Sequence, residues 1–189
     1  MRVRAGVSAP FGPPPLIEGE NSAEYDELLA RVSATVNPAD ILEDIWVRDV
    51  VDLTWETWRY RRLKPALMEI TAHKALSAVL EPRMGWDERQ ALVADWTARV
   101  PEAIESVDAI LESLGLTMHS VMAQSLSIKL DDIERIDRMI ALAEARRNAA
   151  LREIEAHREN LSHKLRRAVQ QVENGQFRAI EDIHAVKGR

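Results

Sequence analysis

The sequence predicts an all-α protein, a helical bundle with a long, coiled-coil-like C-terminal helix, and three observations carry that expectation. Only seven glycines occur in 189 residues while Ala, Leu, Glu and Arg are abundant, which favours helix over the turn-rich texture of a β-sandwich. Apolar residues recur in steps of three and four along most of the chain, the signature of a helix with one buried face. From Met118 onward neither proline nor glycine occurs until Gly175. With 46% hydrophobic and 30% charged residues, the composition is that of a folded, water-soluble protein.

Residues 1–20 hold Pro10, Gly12 and the run Pro13 to Pro15, so they read as an extended, flexible tail. A helical domain is expected over 21–116. Its first helix starts near Ser22, taken as the cap, buries Tyr25, Leu28, Leu29 and Val32, and ends before Pro38. Asn37-Pro38 reads as the start of a second helix, with Asn as N-cap and Pro in the first helical position. Ile41, Ile45, Val47, Val50, Val51, Trp55 and Trp58 make its apolar surface broad, which places it centrally in the core. Pro65 is expected to kink or break it, because proline removes one helical hydrogen bond and clashes with the carbonyl four residues back.

Beyond Pro65, Leu67, Ile70, Ala75, Leu76, Val79 and Leu80 continue the helical period as far as Glu81-Pro82. Asp87 to Val100 forms the next helix, with Leu92, Val93 and Trp96 inward, and Pro101 opens another that buries Ile104, Val107, Ile110, Leu111 and Leu114. Gly115 suits a left-handed helix end, and Thr117 can cap the succeeding helix.

Residues 117–174 are expected to form the long helix, broken at most once around Ser125 to Ser127, with a short terminal helix or tail over 175–189. An unbroken helix from Leu126 to Asn174 would be about 73 Å long at roughly 1.5 Å per residue. Its apolar seam runs through Ile133, Ile136, Ile140, Ala143, Arg147, Leu151, Ile154, Arg158, Leu161, Leu165, Ala168 and Val172. The step from Arg147 to Leu151 reads as a stutter in the repeat, and Arg147 and Arg158 weaken the seam locally. From Leu126 to Asn174 ten Lys and Arg interleave with nine Asp and Glu, with Glu134–Arg138 and Asp131–Arg135 at pairing distance along a solvated face. A seam this long calls for a protein partner or a second copy, through Ile133, Ile136, Ile140, Leu151, Ile154, Leu161, Leu165 and Val172.

The densest mixture of chemistries is Trp55 to Lys64, where Arg59, Arg61, Arg62 and Lys64 stand among aromatic residues. Cations against phosphates and rings against bases would make a nucleic-acid patch, the alternative to a protein partner. The plainer reading is a packed helix whose arginines pair with Asp49, Asp52 or Glu56 one turn back. A net charge of −6 also opposes non-specific nucleic-acid binding by the surface as a whole.

Enzymatic chemistry is not expected. With no cysteine, disulfides, thiolate metal sites and a cysteine nucleophile are excluded, and a reducing, cytoplasmic setting is expected. His73, His119, His157, His163 and His184 do not repeat at metal-ligand spacing, and Glu181-x-x-His184 is the lone pair of its kind, so neither metal nor cofactor is expected. Glu153 with His157 and Glu159 with His163 lie one helical turn apart, where a pH-sensitive pair could form. No phosphate loop, dinucleotide fingerprint or nucleophile elbow is present. No run approaches the roughly 18 apolar residues of a membrane span, and the charged, Pro-rich start does not suit a secretory signal.

Three strings, Leu16-Ile17-Glu18-Gly19-Glu20-Asn21 before Tyr25-Asp26-Glu27-Leu28-Leu29, Ile45 to Glu56 leading into Arg61-Arg62-Leu63-Lys64, and Asp131 to Ile140 followed by Glu144 to Arg152, are similar to a group of short helical proteins of alphaproteobacteria. The resemblance spans most of the chain after the tail. It implies a bacterial, cytoplasmic setting and brings no activity with it, and Pro65 departs from the continuous helix of that group.

Overall fold

The computed structural model describes residues 12–186, with side chains as far as Gly175. Among the described residues there are six helices and no strand: α1 (Ser22–Val36), α2 (Ile41–Leu80), α3 (Trp86–Thr97), α4 (Pro101–Ser113), α5 (Met118–Ile128) and α6 (Leu130–Val186). The chain divides into two units, Met1–Leu53 with Ala145–Arg189 and Thr54–Glu144, and both α2 and α6 contribute to each.

In the first unit Tyr25 of α1 is fully buried, together with Val47, Val50, Val51 and Leu53 of α2 and Ala150 and Ile154 of α6. The Tyr25 hydroxyl donates to the Asp52 carboxylate, and the Arg48 guanidinium lies 5.1 Å over its ring. Burial, followed by the bond to Asp52, pushes the phenol well above its ordinary range, so it stays a donor. The expectation for 1–20 falls partly on residues 1–11, outside the described residues. At the end of the remainder Glu18 and Gly19 form a turn, in which Glu20 N–H donates to the Ile17 carbonyl and Ile17 N–H to Glu20 Oε2.

Capping differs from expectation at both ends of α1. Asn21, not Ser22, is the N-cap, its Oδ1 accepting from Ala23 N–H at 3.0 Å. Asn37 does not open α2. It ends α1 in the left-handed conformation, φ 48°, a shape that asparagine tolerates better than most residues, and its N–H returns to the Ser33 carbonyl. Asp40 opens α2 instead, accepting from Leu42 and Glu43 N–H at 3.0 and 3.1 Å. Ile41, Ile45 and Trp58, expected in the core, are exposed, while Val47, Val50, Val51 and Trp55 are buried as expected.

The second unit has its core in Ala72, Ala75, Leu76 and Leu80 of α2, Val93 and Trp96 of α3, Ala103, Val107 and Leu111 of α4 and Val121 of α5. Pro65 does not end α2, which continues through it to Leu80. The proline is exposed, so solvent can reach the carbonyl left without its amide partner. Contacts on both sides hold the helix: Arg61 to Glu144 and Lys64 to Asp137 before it, and the buried Ser125 hydroxyl donating to the Met68 carbonyl at 2.7 Å after it.

Gly115, φ 68°, closes α4 as expected, with Leu116 N–H reaching the Leu111 carbonyl. Arg99 closes α3 in the same way at φ 63°, with Val100 N–H on the Asp95 carbonyl, although glycine is the residue that fits this position without strain. The break in the long helical stretch falls at Lys129, just beyond the expected interval, and Gly175 does not end α6, which runs on to Val186.

Candidate interaction face on the last helix

The buried face of α6 follows a regular row: Ile133, Ile136, Ile140, Ala143, Arg147, Ala150, Ile154 and His157, all buried or half-buried, at strictly alternating steps of three and four. The stutter expected at Leu151 is absent there, because Ala150 carries the row and Leu151 faces solvent. Ala143 and Ala150 leave room for close approach of neighbouring backbone, which a leucine at that register would not.

Arg158, expected to weaken the seam, is its strongest anchor within the first unit. Its guanidinium donates from Nε and Nη2 to the two Glu43 oxygens at 2.9 and 2.7 Å, and again from Nη2 to the Val36 carbonyl at 2.8 Å. Glu43 is only 1% exposed and also accepts from Ala39 N–H. Beside this fork His157 Nε2 lies 2.7 Å from Asp40 Oδ2, with its ring edge-on to Trp46. α6 thereby holds the turn that joins α1 to α2. His157 thus pairs with Asp40 rather than Glu153, and Arg135 approaches Asp132 rather than Asp131, while Glu134–Arg138 forms as expected.

The Arg158 hydrogen bonds hold the Glu43 carboxyl below its ordinary range, and the Glu43 amide, followed by His157, does the same for Asp40. A carboxyl depressed in the folded state stabilises it fully above the unfolded-state pKa and loses that contribution as pH falls through the folded value. Melting followed by circular dichroism is therefore expected to move to lower temperature between about pH 6 and about pH 3, with Glu43→Gln and Asp40→Asn reducing the slope. A melting temperature flat across that range would contradict the anchoring role.

Past Arg158 the environment changes: every side chain from Glu159 to Gly175 is exposed. Leu161, Leu165, Ala168, Val169 and Val172 nevertheless fall within an arc of about 100° on the helix. Leu165 is 59% and Val172 61% exposed. The extra step of four lies here, between Leu161 and Leu165, and it keeps the stripe on the side of the helix that carries Ile154, about five turns before Val172. Lys164 borders it on one side and Arg166 and Glu173 on the other, and neither cation makes an ion pair among the described residues. Its first turn enters a groove of about 410 Å³ between the α1–α2 turn and α6, lined by Val36, Ala39, Leu161 and Leu165.

Of the expected partner seam, then, Ile133 and Ile154 are buried by this chain itself and Ile136 and Ile140 half-buried, whereas Leu151, Leu161, Leu165 and Val172 remain exposed. The basic cluster is partly neutralised within the second unit. Arg61 meets Glu144 at 2.7 Å, Lys64 meets Asp137 at 2.8 Å, and the Arg62 guanidinium lies 5.6 Å over Trp55, while Arg59 is half-buried. No three metal-ligating side chains converge among the described residues, and no helix among them is long and apolar enough to cross a membrane. Glu181 and His184 lie outside the described side chains.

Compared with protein families, curated proteins and solved structures, the chain matches none.

Proposed function

We propose that this chain is a non-enzymatic helical interaction protein that docks a helix of another polypeptide, a second copy included, along the stripe from Leu161 to Val172. One observation carries the reading: apolar side chains align on one side of α6 over a stretch where all of them stay exposed in the described chain. Such a stripe costs free energy in water and gains it under a complementary helix, at about 25 cal/mol per Å² of apolar surface covered. The groove at its first turn gives an incoming helix a place to start, and the cations beside it favour a partner with acidic flanks.

Sedimentation over a concentration series tests self-association: a larger species is expected to accumulate, and Leu165→Asp is expected to abolish it. For a different partner, a photo-crosslinker placed at Val169 is expected to capture one discrete species from a cell extract, and the Asp variant to lose it. A chain that stays monomeric and captures nothing at that position would remove the proposal.

A further inference from the structure

The second unit contains a cleft of about 410 Å³, distinct from the α6 stripe and bounded by α2, α4, α5 and the end of α3. That volume lies within the range of small-molecule sites. Trp96, Ile104, Met118 and Met122 supply apolar walls, and the two methionines can adapt to the shape of a guest. At the edge stand Glu69 and Asp108, neither with a hydrogen-bond or ion-pair partner among the described residues. The guanidinium at this edge, Arg99, lies 5.7 Å from the Trp96 ring centroid.

We propose that this cleft binds a small organic cation with an apolar body. Two carboxylates share the lining with one guanidinium and the imidazole of His73, so fixed negative charge exceeds fixed positive charge, and a low-dielectric wall strengthens that field. The indole face of Trp96 already carries a cation, the favourable partner for an aromatic ring. That cation comes from a residue whose backbone, at φ 63°, suits glycine better. The Arg99 side chain is exposed and makes no hydrogen bond or ion pair among the described residues, so it is a displaceable stand-in: an amine bearing a compact hydrocarbon brings its ammonium to the ring face, where the carboxylates of the same cleft attract it, and fills the walls.

The test is calorimetric titration of the full chain with three probes sharing one hydrocarbon cage: 1-adamantanamine, adamantane-1-carboxylate and adamantan-1-ol. The amine is expected to bind at least about tenfold more tightly than the carboxylate, with the alcohol between them. Glu69→Gln with Asp108→Asn should remove that preference. Arg99→Gly should tighten amine binding and raise the melting temperature by about 3 °C as the strain is relieved. Equal or better binding of the carboxylate, no binding of any probe, or an amine affinity unchanged in the double variant would each overturn the proposal.

Discussion

Replacing Arg158 by Met is expected to lower the stability of the chain by about 3 kcal/mol, read as a shift in urea midpoint at constant slope. Methionine retains much of the aliphatic stem, so the loss reports the missing charge and hydrogen bonds. Arg158 itself is half exposed and gives up little hydration, but Glu43 is buried with its charge, and removing the fork leaves that carboxylate with one backbone amide donor. Breaking a buried pair from one side leaves an uncompensated charge, which is why the cost exceeds that of an exposed ion pair. Adding Glu43→Gln to the variant should recover part of the loss, since the orphaned charge then disappears. A single variant within about 0.5 kcal/mol of wild type would mean that the fork does not hold the α1–α2 turn.

The second large effect is a contrast between two leucines. Leu76→Ala is expected to cost about 3 kcal/mol, because Leu76 is fully buried in the α2–α5 core and its removal leaves a cavity as well as lost transfer energy. Leu165→Ala, the same chemical deletion, is expected to stay within about 0.5 kcal/mol in dilute solution, where the side chain already meets water. At concentrations where the stripe is occupied, the second variant should become costly while the first is unchanged. Comparable losses at both positions in dilute protein would show that Leu165 is covered by this chain and would remove the interaction face.

Much of the helical layout was legible because its signals are local. Pro101 at a helix start, Gly115 at a helix end and the three-four spacing of Val93, Trp96, Val107 and Leu111 each need only a few neighbouring residues. What was not legible depends on distant partners or on signals with two meanings. Asparagine suits both a helix start and a left-handed helix end, so Asn37 could not announce that it closes α1. An arginine in an apolar row looks like a defect until Glu43, 115 residues away, is seen beneath it. Ala150 and Leu151 compete for one register, and tertiary approach, not hydrophobicity, selects the smaller. For the cleft, the unexpected element is Arg99 in a conformation that no sequence rule assigns to arginine. The break at Lys129 has no local proline or glycine to mark it.

Beyond Leu165 and as far as Gly175, α6 is sustained by its internal ladder of amide-to-carbonyl bonds, with every side chain exposed among the described residues. A peptide of that length on its own sits near the helix–coil midpoint, and the glycine at its end adds configurational freedom. Its order is thus a quantity that a bound helix would raise: part of the association energy goes into stiffening the receiving surface, and binding is registered as a change in local melting over these turns.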